Sequence, residues 1–222
     1  MIITIDGPAA AGKGTLAATL AAKYNLAYFD TGMVYRAVGL EMRLNGENLT
    51  DENLAEKTAK NLTFSQMTEL SKNPEFRSSE GGSAASIVSA QPKVRAALLK
   101  MQQDFARKPT FADGKPAAGV IYDGRDTGTV VCPQADIKFF ITASTEVRAQ
   151  RRFIELQAKG MATPYEKVLE DMIARDERDS KRAAAPLKPA EDAVIFDTSA
   201  LSIDEVVAKA EEIIESKLKN SH

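Results

Sequence analysis

Gly7-Pro8-Ala9-Ala10-Ala11-Gly12-Lys13-Gly14-Thr15 is the stretch on which the fold turns. The apolar run Ile2–Asp6 leads into it, and an apolar-periodic stretch over residues 16–24 leads out. A strand, a glycine-rich turn and a helix, in that order, form a phosphate cradle. Glycines let the backbone curl so that successive N–H groups point at phosphate oxygens. The helix N-terminus adds partial positive charge. Lys13 is placed to reach the β- and γ-phosphates of a nucleoside triphosphate as a point charge. The loop departs from Gly-x4-Gly-Lys-Ser/Thr, because Gly14 stands where a hydroxyl is expected and Thr15 follows one residue later. That departure predicts Mg²⁺ held by phosphates and water, with Asp123, more than by a loop hydroxyl. A ligand-free strand–helix turn is the alternative, and the flanking context weighs against it.

Outward from the loop, short apolar runs at 2–6, 27–29, 120–122, 137–142 and 193–196 alternate with helical stretches. Such alternation predicts an α/β fold with a parallel sheet. Thr163-Pro164-Tyr165-Glu166 reads as a helix start with Thr163 as cap and Glu166 closing a capping box, and Ser202-Ile203-Asp204-Glu205 as a second box. The last helix repeats apolar residues at Ile203, Val206, Val207, Ala210, Ile213 and Ile214. Two regions break the alternation. Residues 46–108 show no convincing parallel strand: 73–86, with Gly81-Gly82, reads as an irregular loop and 94–107 as a helix. Residues 160–189 read as a charged helix followed by Ala183-Ala184-Ala185-Pro186-Leu187-Lys188-Pro189. Residues 110–118 read as a polar loop.

Composition excludes several function classes. The 222 residues carry 29 Lys+Arg against 31 Asp+Glu, so a surface built to coat nucleic acid is not expected. No apolar run approaches the roughly 18–20 residues of a membrane span. The N-terminus lacks the basic flank of a signal peptide. The single cysteine, Cys132, permits no internal disulfide and fits a reducing, cytoplasmic setting; it reads as an inert small apolar side chain. The only histidine is His222, at the C-terminus and read as a disordered end, which disfavours histidine catalysis and His/Cys metal sites.

Four ordered segments carry a family likeness. They are the Gly-Lys-Gly-Thr loop, Asp30-Thr31-Gly32-Met33-Val34-Tyr35-Arg36, Asp123-Gly124-Arg125-Asp126-Thr127-Gly128-Thr129-Val130-Val131, and Arg175-Asp176-Glu177-Arg178-Asp179-Ser180-Lys181-Arg182-Ala183-Ala184-Ala185-Pro186-Leu187. Together they resemble bacterial cytidylate kinase (CMP kinase), a nucleoside monophosphate kinase. The likeness is weakest over residues 61–83, where many members carry a longer, strand-containing insert. It implies a P-loop-type five-stranded parallel sheet flanked by helices, with a monophosphate-binding insert and a lid. The implied core is 1–36, 109–159 and 190–222; the insert is 37–108 and the lid 160–189. The expected chemistry is transfer of a phosphoryl group from Mg²⁺–ATP to CMP or dCMP. A cytoplasmic monomer with no nucleic-acid or membrane partner is expected.

The resemblance also implies residue roles. Gly7, Gly12, Lys13, Gly14 and Thr15 hold the donor phosphates. Thr31, Arg36 and Arg125 match positions that hold the acceptor phosphate, and guanidinium forks suit its oxygens. Ser86, Arg95 and Asp126 match positions that read cytosine, whose N4 amino group a carboxylate accepts. Asp179 and Arg182 match positions near the sugar, and Arg175 and Arg178 match lid arginines that act in catalysis with Lys13 and Arg125. Asp123 ends a strand, where a Mg²⁺- or water-directing carboxylate sits; capping the next helix is its other reading.

The lid helix offers an independent check. Tyr165, Val168, Leu169, Met172 and Ile173 mark its packing face, and Arg175, Asp179 and Arg182 fall beside and partly over that stripe. Charges there need partners: a polyanionic ligand supplies them, and so does an Arg175–Asp179 pair at i,i+4. Two rivals to the kinase reading remain at this point, another small P-loop kinase of adenylate or shikimate type and a non-catalytic nucleotide-binding regulator.

Overall fold

The computed structural model describes residues 1–219. His222, and with it the reading of the C-terminus, lies outside the described residues. Five strands form one sheet: β1 (Ile2–Asp6), β2 (Ala27–Asp30), β3 (Val120–Gly124), β4 (Ile137–Thr142) and β5 (Val194–Asp197). Their order is β2-β3-β1-β4-β5 and every pairing is parallel. The strand boundaries agree with the apolar runs to within two residues.

Strand alternation sorts the core. On one face Ile3, Ile5, Ile121, Phe139 and Ile141 pack with Leu16 and Leu20 of α1 (Lys13–Tyr24) and with Val206, Ala210 and Ile214 of α9 (Ile203–Lys219). On the other, Phe29, Val120 and Tyr122 pack with Val34 and Val38 of α2 (Thr31–Leu44) and with Val94 and Leu98 of α6 (Pro92–Arg107). A sheet covered on both faces requires the near-continuous apolar strands seen in the sequence.

Register then places the polar residues. Ile5 pairs with Asp123, Asp6 with Gly124, and Asp30 with Asp123. Asp6, Asp30 and Asp123 therefore share the carboxyl edge of the sheet, the edge where ligands bind open α/β sheets.

The region between β2 and β3 is helical throughout its regular structure among the described residues. α3 (Glu52–Asn61) and α4 (Phe64–Leu70) lead through a 3₁₀ turn at Pro74–Arg77 to α5 (Ser79–Ser89) and α6. The irregular loop expected over 73–86 is thus wrong. Ser78 caps α5 by accepting from the Gly81 N–H, and the helix is made of small residues because α2 runs against it. A Cβ at Gly39 would lie 3.0 Å from Ala84, and one at Gly81 2.2 Å from the Glu75 carbonyl. Close packing here overrides glycine's weak helix propensity. Residues 110–118 form a tight loop closed by an antiparallel bridge between Thr110 and Pro116 and by the Phe111 N–H on the Lys115 carbonyl at 2.8 Å.

After β4 come α7 (Thr145–Ala158) and the lid helix α8 (Tyr165–Lys181). The Thr163 cap is not found. Pro164 takes the capping position in extended conformation, no side chain caps the helix, and Glu166 falls too early to close a box. The first helical bond runs from the Val168 N–H to the Pro164 carbonyl at 3.1 Å, so the helix starts one residue later than a Thr163 cap requires. Val168 and Met172 are buried as read, but Ile173 is 53% exposed. The Ser202–Glu205 box is present in both directions, with N···O distances of 3.3 and 2.7 Å. Val206, Ala210 and Ile214 of α9 are buried as the period predicts, while Ile203 stays largely exposed.

Candidate active site

The phosphate loop joins β1 to α1. Gly7 has φ +147°, and a Cβ there would lie 1.9 Å from the Ile141 carbonyl oxygen. Gly12 sits at the α1 N-cap with φ +94°, and no side chain caps the helix. The first-turn N–H groups are thus left without a side-chain acceptor, the state an anion site needs. Lys13 is buried, and its Nζ donates to the Pro8 carbonyl at 2.9 Å. It stands 3.7 Å from Asp123 Oδ1. Burial, and next the charge of Arg125, lower its pKa to about 8, with Asp123 opposing.

Asp123 caps no helix. Its carboxylate faces Lys13, accepts from the Tyr28 hydroxyl at 3.4 Å, and is pushed above the usual range by burial. A Cβ on Gly14 would lie 3.3 Å from Asp123 Oδ2 and 3.6 Å from the Tyr28 hydroxyl. The space beside the missing loop hydroxyl is therefore occupied from β2 and β3. Thr15 is exposed at the rim.

Arginines crowd the other half of the cleft. Arg36 on α2 donates to the Phe76 carbonyl at 2.8 Å, and burial lowers its pKa to about 10. Arg125, just past β3, donates to Asp179 Oδ2 at 3.1 Å. Arg175 Nε lies 3.9 Å from the same oxygen, and Arg182 Nη1 lies 3.9 Å from Oδ1. Burial favours protonation of Asp179, but these three charges outweigh it and hold the carboxyl below its usual range. The i,i+4 pair foreseen in the lid is present, yet Arg125 is the nearer partner.

Burial, then repulsion from Arg125, lower Arg175 to about 9. Arg175 Nε and Arg182 Nη2 are buried with no hydrogen-bond partner. Buried donors in that condition are costly and await an acceptor. Thr31 donates its hydroxyl to the Asp123 carbonyl at 2.8 Å.

The residues matched to cytosine are paired with one another or with the lid. Arg95 donates to Asp126 Oδ2 at 2.5 Å and to the Ser89 carbonyl at 2.9 Å, and its guanidinium lies over the Tyr35 ring. Arg182 Nη2 stands 3.9 Å from Asp126 Oδ1. Ser86 is 2% exposed and its Oγ accepts from Arg178 Nε at 3.0 Å.

One cleft of about 720 Å³ brings the two halves together. It is lined by Gly12, Lys13, Gly14 and Thr15 on the phosphate-loop side, and by Thr31, Arg36, Arg95, Asp123, Arg125, Asp126, Arg175, Arg178, Asp179 and Arg182 beyond. Gly7 and Ser86 stand behind this lining.

Sequence reasoning missed Tyr28 and Arg148. Arg148 is buried on α7 and donates to the carbonyls of Ala143 at 2.9 Å and Ala9 at 3.3 Å. It also pairs with both oxygens of Asp176, at 3.1 and 2.6 Å. The phosphate loop and the lid helix therefore share one guanidinium. Nothing local separates Arg148 from the neighbouring Arg151 and Arg152; only the burial does.

A parallel sheet with a strand–loop–helix phosphate cradle, facing a second cluster of cations across one cleft, defines a small P-loop kinase. The cytidylate kinase family model matches residues 3–216. Curated cytidylate kinases are similar throughout. That of Rhodopseudomonas palustris is 49% identical over 97% of this chain and 96% of its own length. That of Paramagnetospirillum magneticum is 51% identical over 97% and 98%. The chain belongs to the cytidylate kinase family. An uncharacterized protein from Eubacterium ventriosum shares the fold, with TM-score 0.51 at 12% identity over 97% of this chain and 99% of that one.

Proposed function

We propose that this chain transfers the γ-phosphoryl group of ATP to CMP, yielding ADP and CDP, with dCMP as a second acceptor. The observation that carries this reading is the buried Arg95–Asp126 pair, which opens into the same cleft as the phosphate cradle. A carboxylate with an adjacent guanidinium matches the amino donor and ring acceptors of cytosine. Uracil presents an oxygen where cytosine has N4, and a buried polar mismatch of that kind discriminates by about 10⁴-fold.

The acceptor is already a nucleophile. A phosphate monoester has a second pKa near about 6, so CMP is mostly dianionic at neutral pH and needs no general base. The task left to the protein is to bring two polyanions into line and neutralise their charge. Lys13 and the open α1 N-terminus take the donor phosphates. Thr31, Arg36 and Arg125 take the acceptor phosphate, while Arg175 and Arg178 approach the transferred group from the lid. Asp179 and Arg182 flank the sugar. Residues 160–189 close as a lid and exclude water, which would otherwise accept the phosphoryl group. Residues 37–108 carry the acceptor and the rest forms the core.

The oxygen donors at Asp123 suit Mg²⁺ held through one carboxylate, substrate phosphates and water. Among the described residues there is no cluster of three or more His, Cys, Asp or Glu able to cage a metal. Bound with ATP, Mg²⁺ supplies charge neutralisation on the phosphate oxygens. No described helix is long and apolar enough to cross a membrane. A monomer in a reducing, cytoplasmic compartment is part of the proposal; the single buried free cysteine supports the latter.

Initial rates of ADP release with CMP, dCMP, UMP and AMP test the reading. CMP is expected to be the best acceptor, with dCMP next. AMP or UMP in first place would overturn it, and CMP binding without turnover in Mg²⁺–ATP would favour a regulator.

A further inference from the structure

Asp6 ends β1 and immediately precedes Gly7, yet its carboxylate turns away from the phosphate loop. It is 4% exposed. Oδ1 accepts from both the Thr127 N–H and the Thr127 hydroxyl at 2.8 Å, and Oδ2 accepts from the Gly128 N–H at 2.7 Å. All three donors are neutral. Thr127 and Gly128 open a single π-helical turn, Thr127–Val131, that continues from β3.

A carboxylate suits this task where an amide does not. Both of its oxygens accept at once, whereas Asn offers one acceptor oxygen and a donor. Burial works against the charge, raising the Asp6 pKa to about 6 despite the three hydrogen bonds. The fold thus keeps a buried acid that costs stability in order to hold one turn.

That turn fixes Asp126. Asp126 is the residue before Thr127, and its carbonyl accepts from the Val130 N–H at 2.8 Å. The segment has no slack. A Cβ on Gly124 would lie 2.4 Å from Thr127 Cγ2, and one on Gly128 would lie 2.8 Å from Thr4 Oγ1. The phosphate loop, by contrast, has its own supports: Gly7 against the Ile141 backbone, Lys13 on the Pro8 carbonyl and Arg148 on the Ala9 carbonyl.

We propose that Asp6 is a positioning residue for acceptor recognition: by clamping Thr127 and Gly128 it sets where Asp126 presents its carboxylate to the base. The inference deepens the acceptor reading above and rests on it. It also means that base recognition is registered against the residue from which the donor loop springs.

Asp6→Asn tests it by two readouts on the full-length protein. Amide hydrogen exchange over residues 124–131 is expected to speed up, while exchange over 7–13 holds. In kinetics, KM for CMP is expected to rise about tenfold, and the CMP-over-UMP ratio of kcat/KM to fall about tenfold, the scale of a small misplacement of a recognition group. KM for ATP and kcat at saturating CMP are expected to stay within about threefold.

Faster exchange with an unchanged CMP-over-UMP ratio overturns the role in recognition. Equal rises in the KM for ATP and CMP overturn it in favour of general loosening. Unchanged exchange overturns the clamp. A wild-type protein that does not favour CMP over UMP overturns the acceptor reading and this inference together. That outcome differs from a failed clamp, in which wild type favours CMP and Asp6→Asn keeps the preference.

Should Asp6→Asn fail to fold, Thr127→Val removes only the hydroxyl donor and keeps both amides. It is expected to lower the CMP-over-UMP ratio about threefold, and no change overturns the proposal.

Discussion

The two halves of the cleft are built on different principles. The donor half is backbone: two positive-φ glycines, an uncapped helix start and one buried lysine. The acceptor half is side chain: Arg125 on Asp179, Arg95 on Asp126, Arg178 on Ser86. The donor half leaves its N–H groups open, so a phosphate completes it without displacing a side-chain cap. The acceptor half answers most of its charges internally but leaves Arg175 Nε and Arg182 Nη2 without a hydrogen-bond partner, so a nucleotide entering it exchanges some partners and supplies others. Backbone cradles therefore recognise any phosphate chain, whereas side-chain networks can require one particular base and sugar.

The largest test of this contrast is Lys13→Met. It removes the buried cation of the phosphate loop itself and is expected to lower kcat by about 10³-fold, with the circular-dichroism spectrum unchanged. Near-normal turnover would break the donor assignment.

Asp126→Ala attacks the other half. It strips Arg95 of its ion-pair partner and is expected to cost about 3 kcal/mol in chemical denaturation. The kcat/KM for CMP is expected to fall about 10²-fold while KM for ATP moves less than about twofold. Equal losses for ATP and CMP would show that the halves are not separable.

A pH series sharpens the comparison further. Lys13 titrates at about 8 in the fold, well below its ordinary 10.5. The kcat/KM for ATP is expected to fall above pH 8, approaching tenfold per pH unit, as Lys13 loses its charge. The stability contribution has the opposite sign. Between those two values the unfolded chain binds the additional proton, so this group's penalty on the fold is released as pH rises. Loss of ATP use together with a wild-type melting temperature that rises relative to that of Lys13→Met between pH 8 and pH 10 would bear this out; a flat profile would contradict it.

The smallest effect is a control outside the cleft. Ser202→Ala breaks the α9 capping box and is expected to cost about 1 kcal/mol, or about 2–4 °C in Tm. Kinetic constants in both halves should not move.

Legibility in the sequence follows the same division. The phosphate loop and five strands show because their signals are local: glycines at fixed offsets, apolar runs of strand length. The α9 capping box shows for the same reason. Helix α5 does not, because its Gly81 and Gly82 look like loop residues until the backbone of the 3₁₀ turn is placed against Gly81 and the Arg36 and Arg175 side chains beside Gly82. The start of α8 is less legible, because Thr163-Pro164 carries the residue types of a cap and a first helical position, yet Pro164 itself stays extended at the cap. The candidate site was named through likeness to a family, and the cleft does gather nearly all of those residues. The pairings among them were not legible.

By itself, then, the sequence determined an α/β sheet with a phosphate cradle at the end of its first strand, because backbone conformation obeys short-range chemistry. The tertiary structure alone decided that Asp6 holds Thr127 and Gly128, that Arg148 joins the Ala9 carbonyl to Asp176, and that Arg95 meets Asp126. Those partners stand 28 to 139 residues apart in the chain. An aspartate or arginine carries no local mark of the partner that folding brings to it. Only the packed sheet edge, where water is excluded and each buried charge must be answered, selects the pairs.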